Sequence, residues 1–130
     1  MKKSTAQVKQ NIRAVQLLLD PTKYYVQTTN NYRLSRKASV AYILKHKLRT
    51  CGSVSTLLAY LLRKKGYYVR LVDGKLKRNG GWHQHAWIEV LIENKWKAFD
   101  AFAKGFTVTS KTHKKLGAYN SWTELLRNKK

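Results

Sequence analysis

The first half of the chain has hydrophobic residues spaced as in amphipathic helices. The first predicted helix runs from Thr5 to Leu19, where Asp20-Pro21 supplies a stop, and a second helical pattern covers about residues 38–48, with Ser35 as a candidate N-cap. The apolar positions are Val8, Ile12, Val15 and Leu19 in the first pattern and Ala41, Tyr42, Leu44 and Leu48 in the second. Each helix is therefore expected to bury one face and to expose the other.

The third predicted helix has the clearest boundaries. Thr50 is a favourable N-cap residue, and Gly66 follows a basic last turn as a C′ glycine does. The apolar stripe of this helix consists of Val54, Leu57, Leu58, Leu61 and Leu62. Cys51 stands three residues before Val54, so it opens the stripe at the first turn of the helix.

After the third helix the periodicity changes from helical to alternating. The predicted strands cover residues 67–72, 85–92 and 95–102. A loop through Gly80-Gly81 separates the first two strands, and a tight turn at Glu93-Asn94 separates the last two. The spacing of Ser121 and Glu124 matches a capping box and predicts a short last helix.

This order of elements indicates the fold class. Helices followed by strands are typical of an α+β domain, here with the N-terminal helices packed on an antiparallel sheet. A length of 130 residues fits one domain, which we assign to residues 1–130.

The chain is strongly basic, with 27 Lys and Arg residues, 6 Asp and Glu residues and a net charge of +21. Its 4 Trp, 8 Tyr and 3 Phe residues supply apolar surface for a core, so the charge does not indicate disorder. The charge favours an anionic partner, and a basic nucleic-acid or polyanion-binding module is one candidate function. The basic residues are spread along the whole chain, however, and it contains no RNP, helix-turn-helix, zinc-finger or phosphate-loop motif. Charge alone therefore indicates a class of partner but no reaction.

The sequence shows no targeting segment. The residues after Met1 to Lys3 are mainly polar and form no continuous apolar region, and no segment approaches the ~18 apolar residues of a membrane span, so we expect a cytoplasmic protein. Cys51 is the single cysteine, which excludes an internal disulfide framework and an iron–sulfur cluster held by this chain alone.

Three residues with complementary chemistry are predicted to meet at the start of the third helix. A helix N-terminus favours the thiolate form of a cysteine such as Cys51. Alternation places His85, Trp87 and Glu89 on one face of their strand. The two-residue turn sets a register in which Trp87 faces Asp100 and His85 lies diagonal to it. Cys51, His85 and Asp100 thus supply the nucleophile, the base and the orienting carboxylate of a cysteine acyl-transfer triad.

The same region offers a metal site as an alternative. The side chains of Cys51, His83, His85 and Asp100 have donor types that suit zinc, if the strand starts early enough to place both histidines on one face. The two other histidines have no partner by spacing and are predicted to lie at the surface: His46 and His113.

With these segments the sequence resembles the transglutaminase-like superfamily. The matching segments are Arg49-Thr50-Cys51-Gly52 with residues 57–66 behind them, His85-Ala86-Trp87-Ile88-Glu89-Val90, and Trp96-Lys97-Ala98-Phe99-Asp100. The resemblance covers about residues 49–102 and implies a papain-like α+β fold. It also implies a reaction through a thioester on a peptide or protein amide, without a cofactor, because the superfamily includes proteases, amidases, deamidases and crosslinking enzymes. Hydrolysis is the expected outcome, with transfer to an amine as the variant reaction.

The chain departs from papain-type enzymes at one position near the nucleophile. Lys45 stands where those enzymes have a glutamine, six residues before the cysteine. The candidate groups for oxyanion and substrate contact are therefore the Cys51 N–H, Tyr42, Asn31, Gly52 and Trp87. From the net charge we expect the peptide or protein substrate to be acidic or to be associated with a polyanion.

Overall fold

The structure of the chain is a computed structural model, and it describes residues 3–20 and 39–124. In chain order its helices are α1 (Thr5–Leu18), α2 (Val40–His46) and α3 (Cys51–Lys64). Strands β1 (Val69–Arg78), β2 (Gly81–Ile92), β3 (Lys95–Phe99) and β4 (His113–Tyr119) form an antiparallel sheet in the order β3-β2-β1-β4, with a 3₁₀ turn (Lys104–Phe106) between β3 and β4. This architecture is the predicted α+β class.

Helix α1 forms as the sequence predicts. Ser4 is its N-cap, and the Ser4 hydroxyl accepts a hydrogen bond from the N–H of Gln7 at 3.2 Å. The whole predicted stripe is buried, at Val8, Ile12, Val15 and Leu19. The helix packs through this stripe into the core that it shares with α3.

Helix α2 is shorter than predicted and turns a different face inward. It begins after Ser39, whose hydroxyl accepts a hydrogen bond from the N–H of Tyr42 at 3.1 Å, whereas Ser35 lies outside the described residues. Ile43 is buried, while Tyr42 and Leu44 are 43% and 42% exposed. Leu48 is buried as predicted, but the rest of the predicted stripe is wrong. Seven residues make only about two helical turns, so spacing alone does not decide which apolar residues face the core.

Helix α3 begins at Cys51, and side-chain hydrogen bonds fix that start. Thr50 and Ser53 form a capping box, in which the Thr50 hydroxyl accepts from the Ser53 N–H at 3.1 Å and the Ser53 hydroxyl accepts from the Thr50 N–H at 2.9 Å. The Ser53 hydroxyl also donates to the carbonyl oxygen of Leu48 at 2.8 Å. The apolar side of α3 packs on β1 and β2, where its stripe joins the core residues Ala86, Ile88 and Val90. The position of Cys51 is therefore set by its cap on one side and by the core on the other.

The register between β2 and β3 is the predicted one. Glu93 and Asn94 both have left-handed backbone angles, with φ of 52° and 66°, as a two-residue hairpin turn of this hand requires. This turn pairs Ile92 with Lys95, and the pairing continues unbroken along β3. The side chain that follows β3 is Asp100.

The β1–β2 hairpin is longer than predicted. Strand β1 continues to Arg78 and β2 begins at Gly81, so the predicted loop is reduced to the turn Asn79-Gly80, whose φ angles are 53° and 79°. The expectation of a loop is wrong because this part of the hairpin is mostly exposed and has no alternating apolar residues to mark it as a strand.

Strand β4 has no counterpart among the predicted strands. It pairs with β1 from Leu71 opposite Tyr119 to Leu76 opposite His113, with an irregularity between Asp73 and Gly74. Most of β4 is exposed or half-buried, and its two consecutive lysines interrupt any alternation, so the sequence pattern does not indicate a strand.

The segment after β4 returns to the start of α3. Trp122 is buried, and its indole N–H donates to the carbonyl oxygen of Gly52 at 3.3 Å. The Ser121 hydroxyl accepts from the N–H of Glu124 at 3.3 Å, which is one half of the predicted capping box, whereas the Glu124 carboxylate accepts from the N–H of Asn120 at 2.9 Å. Across the described ranges no helix has the length and apolar character needed to cross a membrane.

Candidate active site

Cys51 is the first residue of α3 and is half-buried. Its side chain is hydrogen-bonded to the imidazole of His85 in β2. The first N–H groups of a helix have no partner within the helix and carry a partial positive charge, which favours a thiolate at this position. The structure therefore brings Cys51, at the start of α3, together with His85, where the buried part of β2 begins.

Asp100 is the second partner of His85. Its Oδ2 accepts a hydrogen bond from His85 Nε2 at 2.8 Å, and its Oδ1 accepts one from the backbone N–H of Phe102 at 2.9 Å. Asp100 is 1% exposed and His85 is 8% exposed. Since Nε2 is engaged by Asp100, Nδ1 is the ring nitrogen left for Cys51. The histidine thus stands between a thiol and a buried carboxylate.

Hydrogen bonds and neighbouring charges together affect the pKa values of His85 and Asp100 more than burial does. Burial by itself would lower the pKa of His85, but the hydrogen bonds and negative charges of Asp100 and Cys51 raise it to about 9. Burial by itself would raise the pKa of Asp100, yet the hydrogen bonds from His85, His113 and the Phe102 N–H lower it. At neutral pH His85 is therefore an imidazolium that lies beside a carboxylate.

His113 is a further member of the site that the sequence did not predict. Its Nε2 lies 2.8 Å from Asp100 Oδ2, the oxygen that also accepts from His85, and its Nδ1 lies 2.7 Å from the Thr112 hydroxyl. The expectation that His113 lies at the surface is wrong, because β4 was not recognised and its pairing with β1 carries His113 into the buried face of the sheet. His46 is exposed, as expected. The charged run around His113 contains no pattern that would have revealed its position.

Trp87 packs beside the histidines. Its ring centroid lies 5.0 Å from that of His113 in an edge-to-face arrangement and 6.1 Å from that of His85. Gly74 of β1 makes room for the indole, since a Cβ at that position would lie 2.4 Å from the Trp87 ring. Trp87 is 2% exposed, so it supports the site from within the fold.

The remaining candidate residues are placed as follows. Gly52 is the second residue of α3, is buried, and accepts hydrogen bonds through its carbonyl from Thr56 at 2.9 Å and from Trp122. Tyr42 lies in α2, where its ring centroid is 4.2 Å from that of His46. Asn31 lies outside the described residues. The role of these three residues in substrate contact stays a prediction.

The side chains that the structure brings together differ from the proposed zinc set. Among the residues placed here, one group has metal-ligand atoms close together, namely His85, Asp100 and His113, within 4.8 Å of one another. His83 is exposed and its Nε2 lies 3.0 Å from the carbonyl oxygen of Arg78. The two hydrogen bonds to Asp100 Oδ2 account for the closeness of the group without an ion.

A helix that begins at a cysteine, packed on a sheet that presents a histidine and an aspartate to it, defines a papain-like cysteine protein. The crystal structure of a candidate cysteine protease from Cytophaga hutchinsonii has a similar fold, with a TM-score of 0.72, 16% identity, and coverage of 95% of this chain and 39% of that protein. No curated protein is significantly similar in sequence.

The model of the transglutaminase-like superfamily matches residues 1–101, and the chain belongs to this superfamily. This membership confirms the predicted family. Cys51, His85 and Asp100 lie within the matched residues, whereas His113 lies beyond them.

Proposed function

We propose that the chain catalyses acyl transfer from a peptide or protein amide through a thioester on Cys51, with water as the usual acceptor. The observation that carries this proposal is the hydrogen-bonded series Cys51–His85–Asp100 at the start of α3. A thiolate beside an imidazolium combines a strong nucleophile with a proton donor at neutral pH. The name of the C. hutchinsonii relative supports proteolysis, although this chain spans less than half of that protein's length.

The reaction divides into two steps. The Cys51 thiolate attacks the amide carbonyl carbon, the C–N bond breaks, and His85 gives its proton to the departing amine. Water then loses a proton to His85 and attacks the thioester carbonyl, which releases a carboxylic acid and restores the thiolate. An amine in place of water would give transamidation. Asp100 holds the imidazole in one orientation, and the Cys51 N–H is the donor that we expect to stabilise the oxyanion.

Alkylation of Cys51 tests the proposal without knowledge of the substrate. At pH 6, iodoacetamide should modify Cys51 about tenfold or more faster than free cysteine, because a free thiol is almost entirely protonated there. His85→Ala should lose this advantage, and His46→Ala, which changes an exposed histidine, should keep it. The measurement is the rate of modification by mass spectrometry. A wild-type rate no higher than that of free cysteine would contradict the proposal.

Profiling on a peptide library identifies the acceptor. Wild-type protein should cleave a subset of peptides that Cys51→Ala leaves intact. Addition of a primary amine should divert some of the product to an amide if the site admits amines. Equal product from both proteins would show that the activity belongs to a contaminant, and it would remove the support for catalysis by Cys51.

A further inference from the structure

The hairpin of β1 and β2 extends beyond the candidate triad as an exposed ribbon. His85 of β2 stands opposite Gly74 of β1, and four further residue pairs follow toward the turn. At about 3.3 Å per residue these pairs extend the sheet by about 13 Å from His85. We call this region, residues 75–78 with 81–84 and the adjoining Lys114 of β4, the lysine ribbon.

One face of the lysine ribbon carries three lysines and a tryptophan. Lys75 stands directly opposite Lys114, and Lys77 stands directly opposite Trp82, so all four side chains share this face. All four are exposed, and the Lys114 ammonium lies 5.0 Å from the centre of the Trp82 ring. The face therefore presents both positive charge and a flat apolar ring.

This arrangement costs stability when the protein is alone. Like charges directly opposite in neighbouring strands repel each other, as Lys75 and Lys114 do. Asp73 lies two residues before Lys75 on the same side of β1 but is buried, and no acidic residue occurs from Gly74 to Ile88 or from Ala101 to Thr123. By contrast, Lys115 belongs to the opposite face and reaches Glu89 at 3.0 Å. An anionic ligand on the lysine face would relieve the repulsion.

We propose that the lysine ribbon binds an acidic segment of the substrate polypeptide, on one side of the amide that Cys51 attacks. This inference rests on the proposed function. By alternation the lysine face continues the side of β1 and β2 that carries Leu71 and Ala86 and packs on α3, the helix that begins at Cys51, whereas the His85 side chain belongs to the other side. The ribbon's length of about 13 Å corresponds to about four extended residues. The acidic residues should therefore lie within about four positions of the reacting amide.

Peptide binding to the inert Cys51→Ala chain tests this inference. A fluorescent peptide with four consecutive glutamates should bind more tightly than the same peptide with glutamines. Replacement of Lys75, Lys77 and Lys114 by glutamine should weaken binding of the glutamate peptide by about tenfold, from three exposed charges at about 0.5 kcal/mol each. A control triple variant with the same loss of charge at exposed lysines away from the ribbon should weaken binding much less: Lys64→Gln, Lys95→Gln and Lys97→Gln.

The remaining outcomes overturn the assignment. Equal affinity of the protein for the glutamate and glutamine peptides would contradict the inference. Equal weakening of binding by the two triple variants would also contradict it, because the effect would then follow from net charge alone. Displacement of the peptide by single-stranded RNA that binds more tightly through the same lysines would reassign the face to nucleic acid. The same replacements in the Cys51-containing chain should leave alkylation of Cys51 unchanged, so failure here is distinguishable from failure of the proposed function.

A separate observation, the second imidazole on Asp100, carries a second inference. Asp100 Oδ2 accepts from both rings, so the Nε2 of His113 donates, and its Nδ1 faces the Thr112 hydroxyl. The Thr112 hydroxyl is in turn 2.7 Å from the Thr109 hydroxyl. We infer that His113 is a positioning residue, which holds the Asp100 carboxylate in the orientation that His85 requires.

His113→Phe and His113→Gln test this role, because phenylalanine keeps the ring volume without a donor and glutamine restores a donor. His113→Phe should lower the rate of Cys51 alkylation at pH 6 by about tenfold or more, since a hydrogen bond to a charged group is worth about 1.5–3 kcal/mol. His113→Gln should recover most of that loss. Thr112→Val keeps the inference testable if His113→Phe does not fold, and it should give a smaller loss in the same direction.

A merely structural role would give a different result. The inference would be overturned if Cys51 were alkylated at the wild-type rate in both His113 variants. It would also be overturned if both variants lost the same fraction of that rate in proportion to their loss of thermal stability. A slow rate in the wild type would contradict the proposed function itself, so the two failures are separable.

Discussion

Replacement of Asp100 by asparagine should lower the turnover of a cleaved peptide by about 10⁴-fold, the scale seen when the carboxylate of a serine–histidine–aspartate triad becomes an amide. Three donors converge on this side chain, from the Phe102 N–H, His85 and His113. An asparagine has one acceptor oxygen and one donor group, so in either orientation a donor would face a donor. The imidazole of His85 would lose both its orientation and its neighbouring negative charge.

The same replacement should shift the pH dependence. The pKa of His85, about 9, is raised in part by the charge of Asp100, so Asp100→Asn should lower it. The protonated form that donates to the leaving amine is present below the pKa and is lost as the pH rises through it. The alkaline limit of activity should therefore lie near pH 9 in the wild type and at lower pH in the variant. Glu93→Gln, which removes one exposed charge at the hairpin turn, should change neither the rate nor the limit. An unchanged profile in Asp100→Asn would show that the carboxylate does not control His85.

Gly74→Ala should destabilise the fold and slow the site at the same time. A Cβ at this position would lie 2.3 Å from the backbone oxygen of Lys114 and 2.4 Å from the Trp87 ring. Since the backbone of β4 cannot yield as a flexible side chain would, the strands must separate or the indole must move. Overpacking of this kind costs about 1–3 kcal/mol. Displacement of Trp87 would also disturb His113, against which its ring packs.

Urea unfolding and Cys51 alkylation measure the two effects in the same samples. Gly81→Ala is the matched control, because its Cβ would meet nothing closer than a His83 side-chain atom at 3.8 Å. The control should keep the wild-type midpoint and rate. Wild-type stability in Gly74→Ala would mean that β1, β4 and Trp87 do not pack as closely as described.

The parts of the site that the sequence predicted are those that depend on local rules. The cap at Thr50 placed Cys51 at a helix start, and the two-residue turn at residues 93–94 fixed which strand residues share a face with His85. Asp100 followed from that register. These predictions needed only capping chemistry, turn geometry and the alternation of strand side chains.

His113 required information that is not local. It reaches Asp100 because β4 pairs with β1, a strand about forty residues earlier in the chain. Neither β4 nor the outer half of the β1–β2 hairpin buries an alternating apolar face, so hydrophobic periodicity does not indicate either of them as strand. Exposed lysines that interrupt the alternation in these strands belong to the lysine ribbon, from which we infer a preference for acidic substrates.

The place of β4 at the edge of the sheet has a consequence for motion. In the described sheet β4 is bonded to β1 on one side, whereas β2 lies between two strands. Edge elements with exposed backbone hydrogen bonds open with lower free energy than central ones. Brief detachment of β4 would withdraw His113 from Asp100 while β2 and β3 still held His85 beside the carboxylate. The activity of Cys51 would then follow the fraction of time that this last strand is closed, and amide hydrogen exchange along residues 113–119 would report it.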